Sequence, residues 1–136
     1  MNEAISIIPY ESGKHLSLIK DWWLARQGLD VPSELLSESG FVAVLNEEPV
    51  AAVFIYPTIG SKVMMFGWPI ARPDSEKEAR GKAIDFLFDE IRAEAKRQEY
   101  KLLWTVSGVE PVQTRLIKHG FVIGDQQINQ YWGEVK

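Results

Sequence analysis

The sequence predicts a single α+β (mixed α/β) domain with a central, partly antiparallel sheet and helices on its faces. Three observations support this. The chain has 136 residues, which suits one domain spanning residues 1–136. Short β-rich segments alternate with turns marked by Gly, Pro and Asn, and two longer segments repeat apolar residues at spacings of three and four. Strands and helices mixed in this order are typical of a sheet covered by helices.

The chain opens with a strand and a helix. Residues 4–9 (AISIIP) are rich in β-branched side chains. From residue 12 to 27 the apolar side chains recur at helical spacing, and Gly28 suits a left-handed helix end. His15 lies between Lys14 and polar neighbours on this helix, and we expect it to be exposed.

Three further strands follow in the first half. Residues 40–46 (GFVAVLN) and 50–57 (VAAVFIYP) are apolar runs separated by the polar residues 47–49. Two strands joined by so short a turn predict an antiparallel hairpin. Residues 62–70 (KVMMFGWPI) predict a third strand after another turn.

The longest helix is predicted from about residue 75 to 98. Ser75 followed by Glu78 fits a capping box at its start. One face of this helix is apolar at spacings of three and four, and we expect it to pack on the sheet: Ala83, Ile84, Leu87, Phe88, Ile91 and Ala95.

The last third predicts a strand, a helix and a β-rich tail. Residues 101–107 (KLLWTVS) form a nearly continuous apolar run, which favours a strand buried on both faces. Pro111 suits the first turn of a helix that ends at His119 and Gly120. Residues 121–135 predict one or two more strands.

Composition excludes several classes of function. The chain has no Cys and two His, so we expect no disulfide, no thiolate metal site and no metal cofactor. The net charge of −4 argues against nucleic acid as a partner. No apolar run approaches the roughly 20 residues of a membrane span, and no signal peptide is visible, so we expect a cytoplasmic protein without a membrane partner.

One strand-to-helix junction predicts an anion site. The strand that ends near Arg72 leads to a helix start that carries Arg80, Gly81, Lys82 and Ala83. Small residues allow close approach to a helix N-terminus, where free N–H groups and basic side chains attract anions. In the alternative interpretation, these cations only pair with glutamates four residues earlier on a solvated helix face.

Short motifs add a resemblance to a known family. Residues 78–83 (EARGKA), 116–121 (LIKHGF) and the strand–turn–strand around residues 40–52 stand in the same order as motifs of the GNAT acyltransferase superfamily. That family has a Q/R-x-x-G-x-G/A loop after its fourth strand, and Gly81 and Ala83 match it. The resemblance spans residues 5–135. It implies a GNAT-like, mostly antiparallel central sheet flanked by helices.

The resemblance also implies an activity and a coenzyme site. A GNAT-like protein would transfer an acetyl group from acetyl-CoA, its co-substrate, to a primary amine of a small molecule or peptide by direct attack. Two groups of residues would hold the coenzyme. The pantetheine arm would run along Ile70, Ala71 and Arg72. The pyrophosphate would be met by Arg80, Gly81, Lys82 and Ala83.

The sequence departs from the family pattern at three places. Glu78 stands where the family has Gln or Arg, and Leu116 stands where many members have a tyrosine that acts as a general acid. The strand at residues 62–70 has no carboxylate. These departures favour the alternative of a GNAT-like binding or interaction module without catalysis.

Three residues are candidates for catalysis within the resemblance. Glu38 precedes the second strand and Ser107 follows the apolar strand, so each would reach the cleft through water. Tyr131 is one of the nearest tyrosines to the expected general acid, although it does not match that position. Trp68 either lines a tunnel for pantetheine or acceptor or packs in the core, and an exposed Trp would equally mark a homodimer contact.

Overall fold

The computed structural model describes residues 4–107, 109–126 and 128–135. The chain divides into two compact units, Met1–Val106 and Ser107–Lys136. The first unit contains the whole sheet and its two long helices, and the second contains one short helix. The single domain over residues 1–136 stays a prediction, and each unit is described by itself.

The sheet has five strands in the order β1–β2–β3–β4–β5. Neighbours from β1 to β4 are antiparallel, whereas β5 runs parallel to β4. This confirms the mostly antiparallel, mixed sheet. The strands are β1 Ile5–Pro9, β2 Gly40–Leu45, β3 Glu48–Tyr56, β4 Val63–Ala71 and β5 Leu102–Trp104.

The hairpin between β2 and β3 turns on two residues with left-handed backbones. Asn46 and Glu47 have φ of 52° and 66°. A two-residue turn of this kind matches the twist of the flanking strands. The turn therefore lies slightly before the predicted position at residues 47–49.

In the part of the chain that the structure describes, the first unit has the helical segments α1 Ser12–Gln27, a 3₁₀ turn Ser33–Leu35 and α2 Lys77–Arg97, and the second unit has α3 Glu110–Lys118. The predicted end of α1 is confirmed. Gly28 has φ of 62° and its N–H donates to the Leu24 carbonyl at 2.9 Å. Within the described residues, every helix is too short or too polar to cross a membrane.

Helix α2 packs its apolar stripe on one face of the sheet, chiefly over β2 and β3. The six residues predicted for this stripe are all buried, which confirms the prediction. Leu87 and Ile91 are fully enclosed. Burial of this apolar surface is the main stabilising contribution on this side of the sheet.

Helix α1 covers the opposite face with a core that mixes aromatic and polar groups. Trp22 and Trp23 are both buried, because the sheet and the segment after α1 enclose two adjacent sides of the helix. His15 is also buried, at 1% exposure, so the expectation that it is exposed is wrong. Its Nδ1 accepts the Glu11 N–H at 3.0 Å, which lets the ring enter the core uncharged.

Two predictions for the last third are wrong. Strand β5 covers only three residues, and Leu102 and Trp104 are 65% and 52% exposed rather than buried on both faces. The tail forms no strand in residues 121–126 and 128–135. A β-rich composition predicts a strand only where a neighbouring strand is available, and propensity alone does not supply one.

Candidate active site

Strand β4 carries an extra residue in its second half. Phe54 of β3 pairs with Gly67, but Ala52 pairs with Ile70, so three steps on β4 match two on β3. Trp68 lies inside this bulge with φ of 55°. A non-glycine residue in the left-handed region costs about 1–2 kcal/mol. Bulges of this kind are frequent beside active sites, where they redirect side chains.

The bulge places Phe66 and Trp68, which are two residues apart, on opposite faces of the sheet. Phe66 contacts Phe88 of α2 edge to face, with ring centroids 5.8 Å apart. Trp68, two residues later, contacts Trp23 of α1 at 5.3 Å instead. In a regular strand both rings would lie on the same face. The second half of β4 therefore presents its side chains to α1.

Strand β5 ends before the bulge, while β4 continues past it. The parallel pairing joins Val63–Met65 to Leu102–Trp104, and β4 runs on to Ala71. Just beyond β5, the Thr105 hydroxyl donates to the Phe66 carbonyl at 2.6 Å. Among the described residues, no strand pairs with β4 on this side beyond Met65.

Gly67 opens space at the start of the bulge. A Cβ added there would meet no heavy atom of the described chain within 4 Å. Gly40 is the opposite case, because its added Cβ would lie 2.5 Å from the Val53 carbonyl oxygen. Gly67 is therefore not required by the packing of the protein itself. It leaves open space beside the strand at the start of the bulge.

The chain leaves β4 through a short turn and enters α2 without a side-chain cap. The N-cap residue is Glu76, and no side chain caps the first helical N–H groups. The predicted capping box is wrong: the Ser75 hydroxyl instead donates to the Arg72 carbonyl at 2.6 Å. The Arg80 guanidinium folds back and donates to the Ser75 carbonyl. An uncapped helix N-terminus beside a cation attracts anions.

Two arginines hold the end of β4 from the side of α1 and from the turn. Arg26 donates from Nε to the Ala71 carbonyl at 2.5 Å and from Nη2 to the Arg72 carbonyl at 3.1 Å. Arg72 itself pairs with Glu48 at 2.9 Å and Asp74 at 3.1 Å. The pKa of Arg26 is lowered mainly by its own partial burial and secondly by the positive charge of Arg80. The two guanidinium groups therefore lie in one positive region.

The residues predicted for the coenzyme fall into two groups. Ile70 and Ala71 end β4, Arg72 begins the turn, and Arg80 lies in the first turn of α2, so these stand in sequence along one path. Gly81 and Ala83 are buried inside α2, in its second turn, rather than in a loop. Their small size lets the helix approach the sheet. Lys82 is exposed and faces Glu78 at 3.9 Å.

The three predicted catalytic residues divide between the two units. Glu38 is exposed in the segment before β2. The pKa of Tyr10 is raised mainly by the burial of its own ring, and secondly by the negative charge of Glu38. Ser107 and Tyr131 belong to the second unit. The Ser107 hydroxyl accepts the Val109 N–H at 3.2 Å, and Tyr131 is 85% exposed. Catalytic roles for these three residues stay predictions.

Sequence reasoning missed Gly67, Trp23 and Arg26 as parts of this region. Gly67 could have been found from the sequence, because a glycine within a strand often marks a bulge or a close approach. The Trp68–Pro69 pair strengthens that signal, since proline removes a ladder donor. No sequence signal pointed to Arg26, because its partners are backbone carbonyls 45 and 46 residues away in the chain.

Comparisons with known proteins identify the fold. No protein-family model matches the chain, and no curated protein matches it significantly. Solved structures do match. A probable acetyltransferase has a TM-score of 0.68 at 17% identity, with 98% of both chains covered. A predicted acetyltransferase with acetyl-CoA from Clostridium acetobutylicum gives 0.67 at 15% identity, covering 94% of this chain and 96% of its own.

An aminoglycoside N-acetyltransferase in complex with CoA gives a TM-score of 0.65 at 14% identity, with 97% of both chains covered. These similarities extend over nearly the whole chain although the sequences have diverged far. The chain therefore has the GNAT acetyltransferase fold, which confirms the fold that the sequence motifs implied.

Proposed function

We propose that this protein is an acyl-CoA-dependent N-acyltransferase that moves an acetyl group from acetyl-CoA to a primary amine of a small molecule or peptide. The observation that carries the proposal is the second half of β4. It bulges at Trp68, continues beyond its pairing with β5 and leads through a short turn to the uncapped N-terminus of α2. The fold shared with acetyltransferases, two of them in complexes with CoA or acetyl-CoA, supports the same conclusion.

The residues on this path fit the parts of the coenzyme. Ile70 and Ala71 offer extended backbone for the amide groups of a pantetheine arm, at the groups that neither β3 nor Arg26 engages, and Arg72 begins the turn beyond them. Beyond the turn, the N–H groups of the first helical residues and the Arg80 guanidinium offer donors to phosphate oxygens. Gly67 leaves the space that a group bound beside the bulge requires.

The coenzyme supplies an activated thioester carbonyl. The protein binds it in a cleft and orients it, and backbone N–H groups along the open side of β4 would polarise the carbonyl oxygen. The amine nitrogen forms the new bond to the carbonyl carbon, the carbon–sulfur bond breaks and sulfur keeps the electron pair. The proton that the nitrogen loses passes to the thiolate sulfur through water, which gives the amide and the free thiol of CoA. No side chain of β4 is an acid or a base. Catalysis then depends on positioning and on an amine that arrives deprotonated.

Calorimetric titration with acetyl-CoA tests the binding part. Arg80→Ala removes a charged donor and should weaken binding by about 1.5–3 kcal/mol. Lys96→Ala, in the last turn of the same helix, is the matched control and should leave the affinity unchanged. Equal affinities for the wild type and both variants would show that Arg80 does not contact the coenzyme and is only a surface cation.

Gly67→Val tests the cleft. Because a Cβ at position 67 would meet no described heavy atom within 4 Å beyond its chain neighbours, the variant should fold with thermal stability close to that of the wild type. Turnover, measured as release of free thiol over a panel of amines, should fall by about a hundredfold or more if valine occupies the position of the reacting group. Full turnover in Gly67→Val would place the chemistry elsewhere.

The alternative is a protein with this fold that binds but does not catalyse. Leu116 stands where the resemblance expects a proton donor, and it is buried in the second unit. Tight binding of acetyl-CoA without thiol release from any amine would support this alternative over the enzyme.

A further inference from the structure

The last turns of α1 contact the second half of β4 at two separate points. Trp23 and Arg26 are three residues apart, so they lie on the same face of the helix. Trp23 is buried and meets the Trp68 ring at 5.3 Å with an angle of 81° between the ring planes. Arg26, one turn later, reaches the carbonyls of Ala71 and Arg72. The two contacts therefore enclose residues 68–72.

The contact at the bulge holds a residue in an unfavourable backbone conformation. Trp68 has a left-handed φ, and residues in such conformations persist where surrounding contacts fix them. Pro69, which follows, cannot donate a ladder hydrogen bond. Packing of Trp68 against Trp23 stabilises this conformation, because an edge-to-face aromatic pair favours one ring orientation.

The contact at the strand end fixes where β4 stops. A guanidinium group carries several N–H donors in a rigid planar fork. Arg26 uses this fork on two successive carbonyls, at 2.5 and 3.1 Å. One lysine ammonium could not reproduce that planar arrangement. The backbone at Ala71 and Arg72 is thus held by α1 as well as by β3, whose Val50 carbonyl accepts the Arg72 N–H at 2.8 Å.

We infer that Trp23 and Arg26 are positioning residues of the acyl-transfer site: together they brace residues 68–72 of β4 in the shape that orients the thioester. The inference rests on the proposed function, since it assigns these residues a role in that reaction. Neither side chain exchanges a proton or forms a bond with substrate. Their effect is to keep the backbone groups of the bulge and the strand end at a fixed spacing.

The experiment combines kinetics with a structural signal from the indole pair. Arg26→Met keeps the apolar stem and removes all donors, while Arg26→Lys keeps the charge. Lys14→Met is the control, with the same loss of charge from an exposed position in the first turn of α1. For each protein, circular dichroism measures the exciton couplet of Trp23 and Trp68, with Trp68→Phe identifying the couplet by its loss. Calorimetry gives the acetyl-CoA Kd, and thiol release gives kcat and KM.

A brace predicts a specific pattern. Arg26→Met should lower kcat by about tenfold to a hundredfold, since a small misplacement of the reacting groups costs that much. Its acetyl-CoA Kd should stay within about threefold of wild type, because binding and orientation are separate contributions. The indole couplet should weaken in Arg26→Met. Arg26→Lys should recover part of the rate, and Lys14→Met should match wild type in every measurement.

Three results would overturn the inference. In the first, Arg26→Met retains the wild-type kcat and couplet. In the second, its Kd rises as much as its rate falls, which would make Arg26 a phosphate contact. In the third, Arg26→Lys is as impaired as Arg26→Met while the couplet stays intact in both. Failure of the proposed function looks different, because the wild-type chain would then neither bind acetyl-CoA nor release thiol. That result also ends the catalytic role of the brace, and the couplet alone then reports whether the contact orders the bulge.

Discussion

The two halves of β4 are built differently. From Val63 to Phe66 the strand pairs with β5 at Val63–Met65 and with β3 at Met65 and Phe66, without a bulge. From Gly67 to Ala71 it keeps its pairing with β3, but it bulges, has no partner strand on the side of β5 among the described residues, and is contacted by side chains of α1. The first half is stabilised by its own ladder and the α2 core. The second half combines its pairing with β3 with contacts from α1.

This difference separates stability from function within one strand. A fully paired strand has its backbone groups in use, so it offers nothing to a ligand. A strand that continues beyond the end of its neighbour has no ladder partner on that side, and a left-handed residue there stores strain that functional sites often contain. The first half of β4 therefore contributes mainly to the stability of the fold, and the second half contains the proposed acyl-CoA site.

A matched pair of truncations should show the largest contrast between the halves. Phe66 is buried against Phe88, so Phe66→Ala should lower the free energy of unfolding by about 3–5 kcal/mol. Trp68→Gly should cost clearly less than a full aromatic truncation, because the glycine releases about 1–2 kcal/mol of left-handed strain. Urea midpoints measure both. Equal losses would mean that the two halves support the fold alike.

The pH dependence of stability should report on the face covered by α1. Burial, and then the charge of Lys14, lower the pKa of His15 below its usual value, while Glu11 opposes the shift. Its neutral form is thus favoured in the folded state. The folded protein therefore has its full stability above the unfolded histidine pKa of about 6.5. As the pH drops below that value, the free energy of unfolding falls by at most about 1.4 kcal/mol per pH unit.

Unfolding measured from pH 8 to 5 in wild type and His15→Gln tests this, since the variant should lose that part of the slope. The other charged groups near this residue, Glu11 and Lys14, stay in place in both proteins. An identical slope in the two proteins would show that His15 does not titrate differently on folding.

Sequence patterns predicted most of the regular first unit. The apolar stripe of α2, the end of α1 at Gly28 and the hairpin follow from local spacing and from turn residues, so they could be read directly. The bulge was not predicted, because it depends on pairing between β3 and β4. Burial of His15 was missed because its polar partner is the backbone N–H of Glu11 rather than a side chain.

For the candidate site, sequence reasoning found the region but not its geometry. Arg72 and Arg80 were assigned to the strand-to-helix junction, and the structure places them at the end of β4 and in the first turn of α2. Gly81 matched a loop motif and yet lies inside the helix, because α2 begins at Lys77. A degenerate motif does not determine the first residue of a helix. That residue depends on the hydrogen bonds of the preceding turn.

The smallest expected effect concerns acid–base catalysis. Glu38 is exposed and lies outside β4, so Glu38→Gln should change kcat by less than about tenfold, a barrier change below about 1.4 kcal/mol. The rate should rise with pH as the acceptor amine deprotonates, towards about 10.4 for a lysine-like amine. A hundredfold loss in Glu38→Gln with intact acetyl-CoA affinity would reveal a catalytic carboxylate and contradict catalysis by positioning alone.

The most direct test of the central claim is an amide NMR titration with acetyl-CoA. The assignment of acyl-CoA binding to the second half of β4 predicts that the largest chemical-shift changes fall on residues 67–72 and on the first turn of α2. Amides of Val63–Phe66, in the first half of β4, should shift little. Changes centred on the first half of β4 or on the outer face of α1, or no changes at saturating acetyl-CoA, would contradict the account.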